Sequence, residues 1–299
     1  MNLTLRQLQI FESVAQHLSY TRAAEVLYLT QPAVSMQIKQ LESEVAMPLF
    51  ERMGKSLFLT EAGDELLIYA RNISQQLIEA SDVLDELRGS KKGRLNIAVA
   101  TTASSFSLKL LGEFYKRFPG ANITFDVTNR ASLLKHLEKN TTDMVIMGQP
   151  PEGLDVEAES FMENPLVVIA PIGHELVGKK NIPLKVLQQE TFIMREHGSG
   201  TRIAMERFFE ESGYSISSVM EMSSNEAINE AVVAGLGLGI VSKDTLELKL
   251  SMGQLKILDV ESFPIMRHWY LVHRKGKRFT ALMTAFKNLV QQESKEILN

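Results

Sequence analysis

The chain has 299 residues, 44% of them hydrophobic, a net charge of −4 and no cysteine. That length can bury a full core and suggests about two domains, while the missing cysteines exclude disulfides, thiolate zinc sites, iron–sulfur clusters and a cysteine nucleophile. No stretch approaches the ~20 apolar residues of a bilayer span, the first residues lack a signal-peptide pattern, and the acidic balance argues against coating nucleic acid by bulk attraction. A cytoplasmic protein with no membrane partner is expected. The six histidines show no metal-ligand spacing, so neither a metal nor a cofactor is expected.

Thr4 and Gln7 fit a capping box, and Leu3 and Leu8 a hydrophobic staple, which predicts a helix from Leu5 with Leu8, Phe11, Ala15 and Leu18 as its buried stripe. A second helix fits residues 20–27, where Ala23 and Ala24 let another helix cross closely. Thr30 caps a third, with Pro32 tolerated in the first turn. Val34, Ile38, Leu41 and Val45, spaced by 4, 3 and 4, are its packed face. Pro32, Ser35, Met36 and Lys39 lie opposite, and such a face suits a helix whose N-terminal end meets phosphates and base edges in a major groove, Gln31 and Ser35 first. A three-helix bundle with a solvated polar face explains the same periodicity. Residues 1–60 carry five basic and five acidic side chains, so a DNA-binding reading rests on geometry and not on charge. LFERMGKSLFLT then forms a plausible winged hairpin about a Met-Gly-Lys turn, with Arg52 and Lys55 where a wing meets phosphates.

The run LRQLQIFESVAQHLSYTRAAEVLYLTQPAVSMQIKQLESEVAMPLFERMGKSLFLTEAG closely resembles the winged helix-turn-helix of LysR-type transcriptional regulators. The resemblance implies a helix-turn-helix over residues 19–38, with Gln31, Pro32, Ser35 and the wing residue Arg52 facing DNA. Ser19, Thr21, Arg22, Thr30, Met36, Lys39 and Lys55 complete the expected contact set. It further implies double-stranded promoter DNA as partner, self-association as a dimer through a linker helix and as a tetramer, and contact with RNA polymerase.

Thr60 can cap a helix over residues 61–88, roughly 42 Å long. Leu66, Ala70, Ile73, Leu77, Ala80, Leu84 and Leu87 alternate spacings of 4 and 3, the seam of a coiled coil. Residues 89–93, GSKKG, read as a linker.

Beyond it, RLNIAVA, ANITFDV, DMVIMG, PLVVIA, TFIM, GLGLGIV and WYLVH alternate with helical patterns, which predicts an α/β fold with largely parallel sheets. One large domain or two lobes fit this pattern. The resemblance implies two lobes of the periplasmic-binding-protein type, with the chain crossing near residues 162–165 and returning near 263–268. The expected organisation is a DNA-binding domain over 1–60, a linker helix and hinge over 61–93, and an effector domain over 94–299. Its lobe I takes about 94–162 and 268–299, and lobe II about 163–267.

In open α/β folds ligands bind beyond the carboxyl ends of strands, where helices begin. TTASS supplies Thr101, Thr102 and Ser104, GQPP supplies Gly148 and Gln149, and SSNEAI supplies Asn225. REHGSGTR supplies Arg195, Glu196, Ser199, Gly200, Thr201 and Arg202, with glycines that admit a ligand to the backbone and a helix start nearby. Each alone reads better as a simple helix cap. Together they form a cleft for a small anionic metabolite. REHGSGTR and DMVIMGQPP also resemble the LysR subgroup controlling RuBisCO operons, which implies phosphorylated sugars or related central metabolites as effectors, so the expected ligand is an anionic metabolite such as a phosphorylated sugar or a carboxylate. Gln149 stands where that subgroup commonly has arginine.

An enzyme is not expected. REHGSGTR lacks the lysine and hydroxyl order of a P-loop, GLGLGI precedes its strand residues where a dinucleotide loop follows them, and no motif pairs a nucleophile with a base. A cytoplasmic solute-binding sensor without direct DNA regulation is the alternative, and it leaves the first 88 residues without a purpose.

Overall fold

The structure, a computed structural model, describes residues 3–87 and 93–298, without the side chains at 82, 85–87 and 217–219. It divides into two compact units, residues 1–89 with 139–141, and residues 90–138 with 142–299. Among the described residues no helix is long and apolar enough to cross a membrane.

In the first unit, α1 (Leu5–His17) starts where the capping box closes: Gln7 N–H donates to Thr4 Oγ1, and Thr4 N–H to Gln7 Oε1. These bonds satisfy donors that the first helical turn leaves open. Leu8, Ile10, Phe11, Val14 and Ala15 form its inner face. Leu18 does not join that stripe. It is the C-cap, at φ 47°, and the left-handed turn swings its side chain off the helix face, leaving it 44% exposed. In α2 (Tyr20–Val26), Ser19 Oγ accepts from Arg22 N–H, and Ala23 and Ala24 are buried at the crossing. α3 (Gln31–Val45) is capped by Thr30 and buries Val34, Ile38 and Leu41.

The Glu42 carboxylate turns back to accept the N–H groups of Leu49 (2.8 Å) and Phe50 (3.3 Å), which fixes the chain's entry into the antiparallel hairpin of β1 (Phe50–Met53) and β2 (Ser56–Leu59). Gly54, at φ 65°, opens the two-residue loop in a conformation that side chains resist. α4 (Glu61–Leu87) follows, with Thr60 Oγ1 accepting from Gly63 N–H. Leu67 and Ala70 are buried in the helix-turn-helix core, with Leu66 packed against it. Past Ser74, whose hydroxyl donates to Glu12, Leu77 and Leu84 continue an apolar row that is 43% and 55% exposed. The side chain of Leu87 and nearly all of the 89–93 linker lie outside the described residues.

The second unit holds two five-stranded sheets. β3 (Arg94–Ala100), α5 (Ser104–Arg117), β4 (Asn122–Thr128), α6 (Arg130–Lys139), β5 (Met144–Met147) and β6 (Val156–Glu163) belong to the first layer system. β7 (Leu166–Pro171), α7 (Leu184–Leu187), β8 (Thr191–Arg195), α8 (Gly200–Glu211), β9 (Ser217–Met222), α9 (Asn225–Val233), β10 (Leu238–Ser242), α10 (Glu247–Ser251) and β11 (Leu255–Ile257) build the second. β12 (His268–Arg274), α11 (Ala281–Asn288) and α12 (Ser294–Leu298) return to the first. The strand orders are β4-β3-β5-β12-β6 and β11-β7-β10-β8-β9. Between the sheets the outgoing and returning segments run side by side: Asn164 N–H donates to Arg267 O (2.7 Å), and Leu166 and Ile265 exchange backbone bonds.

The sheets are mixed and not largely parallel. β3 pairs in parallel with β4 and β5, and β8 with β9 and β10, but β12 and β7 are antiparallel to their neighbours. A strand entering from the other lobe arrives without a crossover helix, so nothing imposes parallel pairing on it. β6, β9 and β11, all edge strands, have no long apolar run to announce them; β6 reads VEAESFME. The glycines of GLGLGI serve packing: a Cβ on Gly237 would lie 2.6 Å from the Thr191 carbonyl, and one on Gly239 2.8 Å from Ile228.

A Cβ on Gly63 would lie 2.2 Å from the Leu49 carbonyl oxygen, where α4 meets the approach to the hairpin. In an open helix Gly→Ala stabilises by about 1 kcal/mol. Here Gly63→Ala is expected to destabilise the first unit by about 1–3 kcal/mol in urea titration, the range of an overpacked contact; a gain in stability would show that the contact yields.

Candidate functional site

Gln31, Pro32, Ser35, Met36 and Lys39 line one shallow open groove on the outer face of α3. The hydroxyls of Ser19 and Thr30 are engaged as N-caps, accepting from Arg22 and Ala33, so their first role is to fix the two helices. Thr21 and Arg22 are exposed on α2, and Arg22 is paired with Glu25 at 2.8 Å. Arg52 on β1 and Lys55 in the wing loop are exposed. Glu12, Glu25 and Glu42 are each engaged within the unit. Lys39, Arg52 and Lys55 have no ion-pair partner among the described residues. A neutral total charge thus resolves into unpaired cations on the helix face and the wing, the arrangement that phosphate contact requires.

In the second unit, Thr101 and Thr102 after β3, Gly148 after β5, and Arg195, Glu196, Ser199, Gly200 and Thr201 after β8 line one cavity of about 40 Å³. Arg195 is 4% exposed and almost fully bonded. Its Nε and Nη2 donate to the Glu196 carboxylate at 2.7 and 2.9 Å, and Nη1 to Asn225 Oδ1 at 3.0 Å. Nη2 also reaches Thr101 Oγ1, on the other lobe, at 3.4 Å. Asn225 therefore orients Arg195 from behind, and Ser224 caps α9 beside it.

Besides Asn225, three expected residues lie off this cavity. Ser104 donates its hydroxyl to the Thr101 carbonyl and holds the turn. Gln149 lines a neighbouring cavity. Arg202 bonds Glu206 (2.7 Å), Glu221 (2.6 Å) and the Arg195 carbonyl, and the Glu206 contact chiefly raises its pKa. One residue of α-helix rotates the side chain by about 100°, so Thr201 faces the cavity while Arg202 is carried round to the acidic neighbours.

Sequence reasoning missed Arg130, Asn164 and Arg267, which also line the cavity. Arg130 opens α6 directly after β4, the same strand-to-helix junction that drew attention elsewhere. Its guanidinium donates to the Gln149 carbonyl, so a cation stands beside the position where the subgroup resemblance implied one. Burial pushes its pKa down. Arg267 lies in the returning segment; Nη1 donates to Gly200 O at 3.0 Å, Nε has no partner, and burial pushes its pKa down to about 10. Asn164, wholly buried, accepts from Ser242 Oγ but leaves Nδ2 without a partner. No carboxylate lies within ion-pair range of Arg130 or Arg267 among the described residues. A depressed pKa in a cation means its charge is held against desolvation, a cost that an incoming anion offsets. No nucleophile is paired with a base here; hydroxyls, an amide and buried guanidiniums are suited to holding an anion unchanged.

Residues 5–64 match the family model "Bacterial regulatory helix-turn-helix protein, lysR family", and residues 88–295 match "LysR substrate binding domain". The RuBisCO operon transcriptional regulator of Allochromatium vinosum is 53% identical over 294 residues, covering 98% of this chain and 97% of that protein. The HTH-type transcriptional activator CmpR of Synechocystis is 45% identical, covering 95% and 94%. Among solved structures, the CcmR regulatory domain of Synechocystis in complex with 2-phosphoglycolate is similar at a TM-score of 0.66 and 40% identity, over 68% of this chain and 97% of that one. Full-length CbnR bound to its target DNA shares the fold at a TM-score of 0.67 and 20% identity, over 97% and 99%.

The geometry separates two adjacent residues. Arg202→Ala, which strands two carboxylates, is expected to cost about 1–3 kcal/mol of stability with ligand affinity changed less than twofold, whereas Thr201→Val should spare stability and weaken anion binding about tenfold. Calorimetric melts and ligand titrations of both variants check this. The opposite ranking would put the ligand on the Arg202 side.

Proposed function

Because this chain belongs to the LysR family of bacterial transcriptional regulators, we propose that it senses a phosphorylated carboxylate or sugar phosphate between its two lobes and controls carbon-fixation genes in response. It is a DNA-binding regulator that responds to a small metabolite, and not an enzyme. The observation that carries the proposed signal is the pair of desolvated arginines, Arg130 and Arg267, which stand beside Thr101 and Thr201 with no carboxylate of the described residues within ion-pair range. The 2-phosphoglycolate held by the related CcmR domain is of the same chemical class.

A cavity of about 40 Å³ holds little more than a water or two. Entry of a metabolite therefore parts the lobes or displaces Glu196 from Arg195, and either event alters the lobe surfaces. In this reading residues 1–60 bind promoter DNA, with Gln31, Pro32, Ser35 and Met36 toward bases and Lys39, Arg52 and Lys55 toward phosphates. Residues 61–93 pair two chains through the exposed row of α4, residues 94–299 sense the ligand, and two dimers form a tetramer. The protein works in the cytoplasm, where promoter-bound RNA polymerase is a further partner. The ligand's differential affinity for the two lobe arrangements limits how strongly it can act on DNA binding.

Thermal unfolding of the intact protein with 2-phosphoglycolate tests the signal. At 100 times the dissociation constant a native-state ligand adds about 2.7 kcal/mol, a rise of several degrees; no rise at millimolar concentration would remove this ligand class. For the DNA face, Ser35→Ala should reduce discrimination between the protein's own upstream region and random DNA. Lys55→Ala should weaken both alike and flatten the salt dependence by about one phosphate contact. Gel-shift titrations at several salt concentrations compare them, and identical effects would refute the groove assignment.

A further inference from the structure

A second, larger cavity adjoins the first on the far side of the Arg130–Gly200–Arg267 wall, at about 250 Å³. One side is apolar, built from Ile203 and Phe208 on α8, Ile265 in the returning segment and Tyr270 on β12. The other is cationic. Arg130 and Arg267 face this cavity as well as the first, and Arg207 stands at its rim paired to Glu211, the one carboxylate in the lining. Arg267 Nε is a buried donor that nothing among the described residues satisfies. An orphaned buried donor with two desolvated guanidiniums beside an apolar wall has one chemical complement, an anion carried on an apolar body.

We propose that this cavity is a second ligand site, distinct from the effector cleft, which takes a small organic anion with an aromatic or branched apolar body, its phosphate or carboxylate held by Arg267 and Arg130. The hydroxyl-lined cleft suits a compact polar anion, and this site suits an amphipathic one. The two anions share both arginines, so each lowers the positive potential that the other meets. Binding is therefore antagonistic, and by linkage the factor is the same in both directions.

Isothermal titration of the full chain with phenyl phosphate, benzyl alcohol and 2-phosphoglycolate tests this. Expected are saturable binding of phenyl phosphate at one per chain, at least tenfold weaker binding of uncharged benzyl alcohol, and a loss of about tenfold in phenyl phosphate affinity when 2-phosphoglycolate is present. Ile203→Glu puts a negative charge on the rim at a side chain that is half in solvent and lines only the second cavity. It should weaken phenyl phosphate about tenfold while leaving 2-phosphoglycolate within twofold. If that variant melts early, Arg207→Ala, whose side chain is mostly in solvent, replaces it with a smaller expected loss. The proposal is overturned by the absence of saturable phenyl phosphate binding, by benzyl alcohol binding as tightly, or by Ile203→Glu leaving phenyl phosphate unaffected. A failure of 2-phosphoglycolate alone to bind would count against the effector reading of the cleft and leave this second site standing.

Discussion

The second unit depends on one constraint: its two sheets are joined where two antiparallel segments cross, held by the bond from Asn164 N–H to Arg267 O and by the Leu166–Ile265 pair. Two backbone segments keep the sheets in register yet resist bending far less than a shared core would. The same residues that make the crossing turn side chains into the cleft. Asn164 Nδ2 and Arg267 Nε are buried there without partners among the described residues, so the crossing carries unsatisfied donors into the proposed cleft. In the proposed function, joining and recognition are thus coupled in a few residues, because a ligand that satisfies those donors would act directly on the segments that connect the lobes.

Charge in the cleft follows from this arrangement. Arg195 is neutralised by the carboxylate next to it in sequence and braced by Asn225, whereas Arg130 and Arg267 are desolvated without a counter-charge among the described residues. The paired arginine is structural in the present geometry, and the unpaired ones hold the potential for an anion. Of the two terminal arginines of REHGSGTR, Arg195 lines the cleft with its donors engaged by Glu196 and Asn225, while Arg202 lies off it, held by Glu206 and Glu221.

The first unit solves a different problem. A helix-turn-helix core is small, and α4 enlarges it by adding Leu67 and Ala70 before leaving the core and exposing Leu77 and Leu84. One helix thus completes the fold at one end and offers an apolar row at the other. Gly63 allows it to sit directly on the Leu49 carbonyl.

Local chemistry made much of this legible in one dimension. The capping box at Thr4, the caps at Ser19 and Thr30, the helix periods and the hairpin about Gly54 all rest on interactions spanning a few residues, and they appear in the structure where the sequence puts them. Apolar runs marked the buried strands, and the junctions after β3, β5 and β8 marked the cleft. Edge strands β6, β9 and β11 carried no comparable signal. The sequence by itself determined the helices of the first unit, the buried strands of the second and the family, because caps, periods and motifs are local. Tertiary structure decided the antiparallel crossing strands, the exposure of Leu18, the diversion of Arg202, and the arrival of Arg130 and Arg267 beside Thr201. Each depends on partners tens of residues away, and burial, which sets whether a charge is paired or waiting, exists only once the chain has closed.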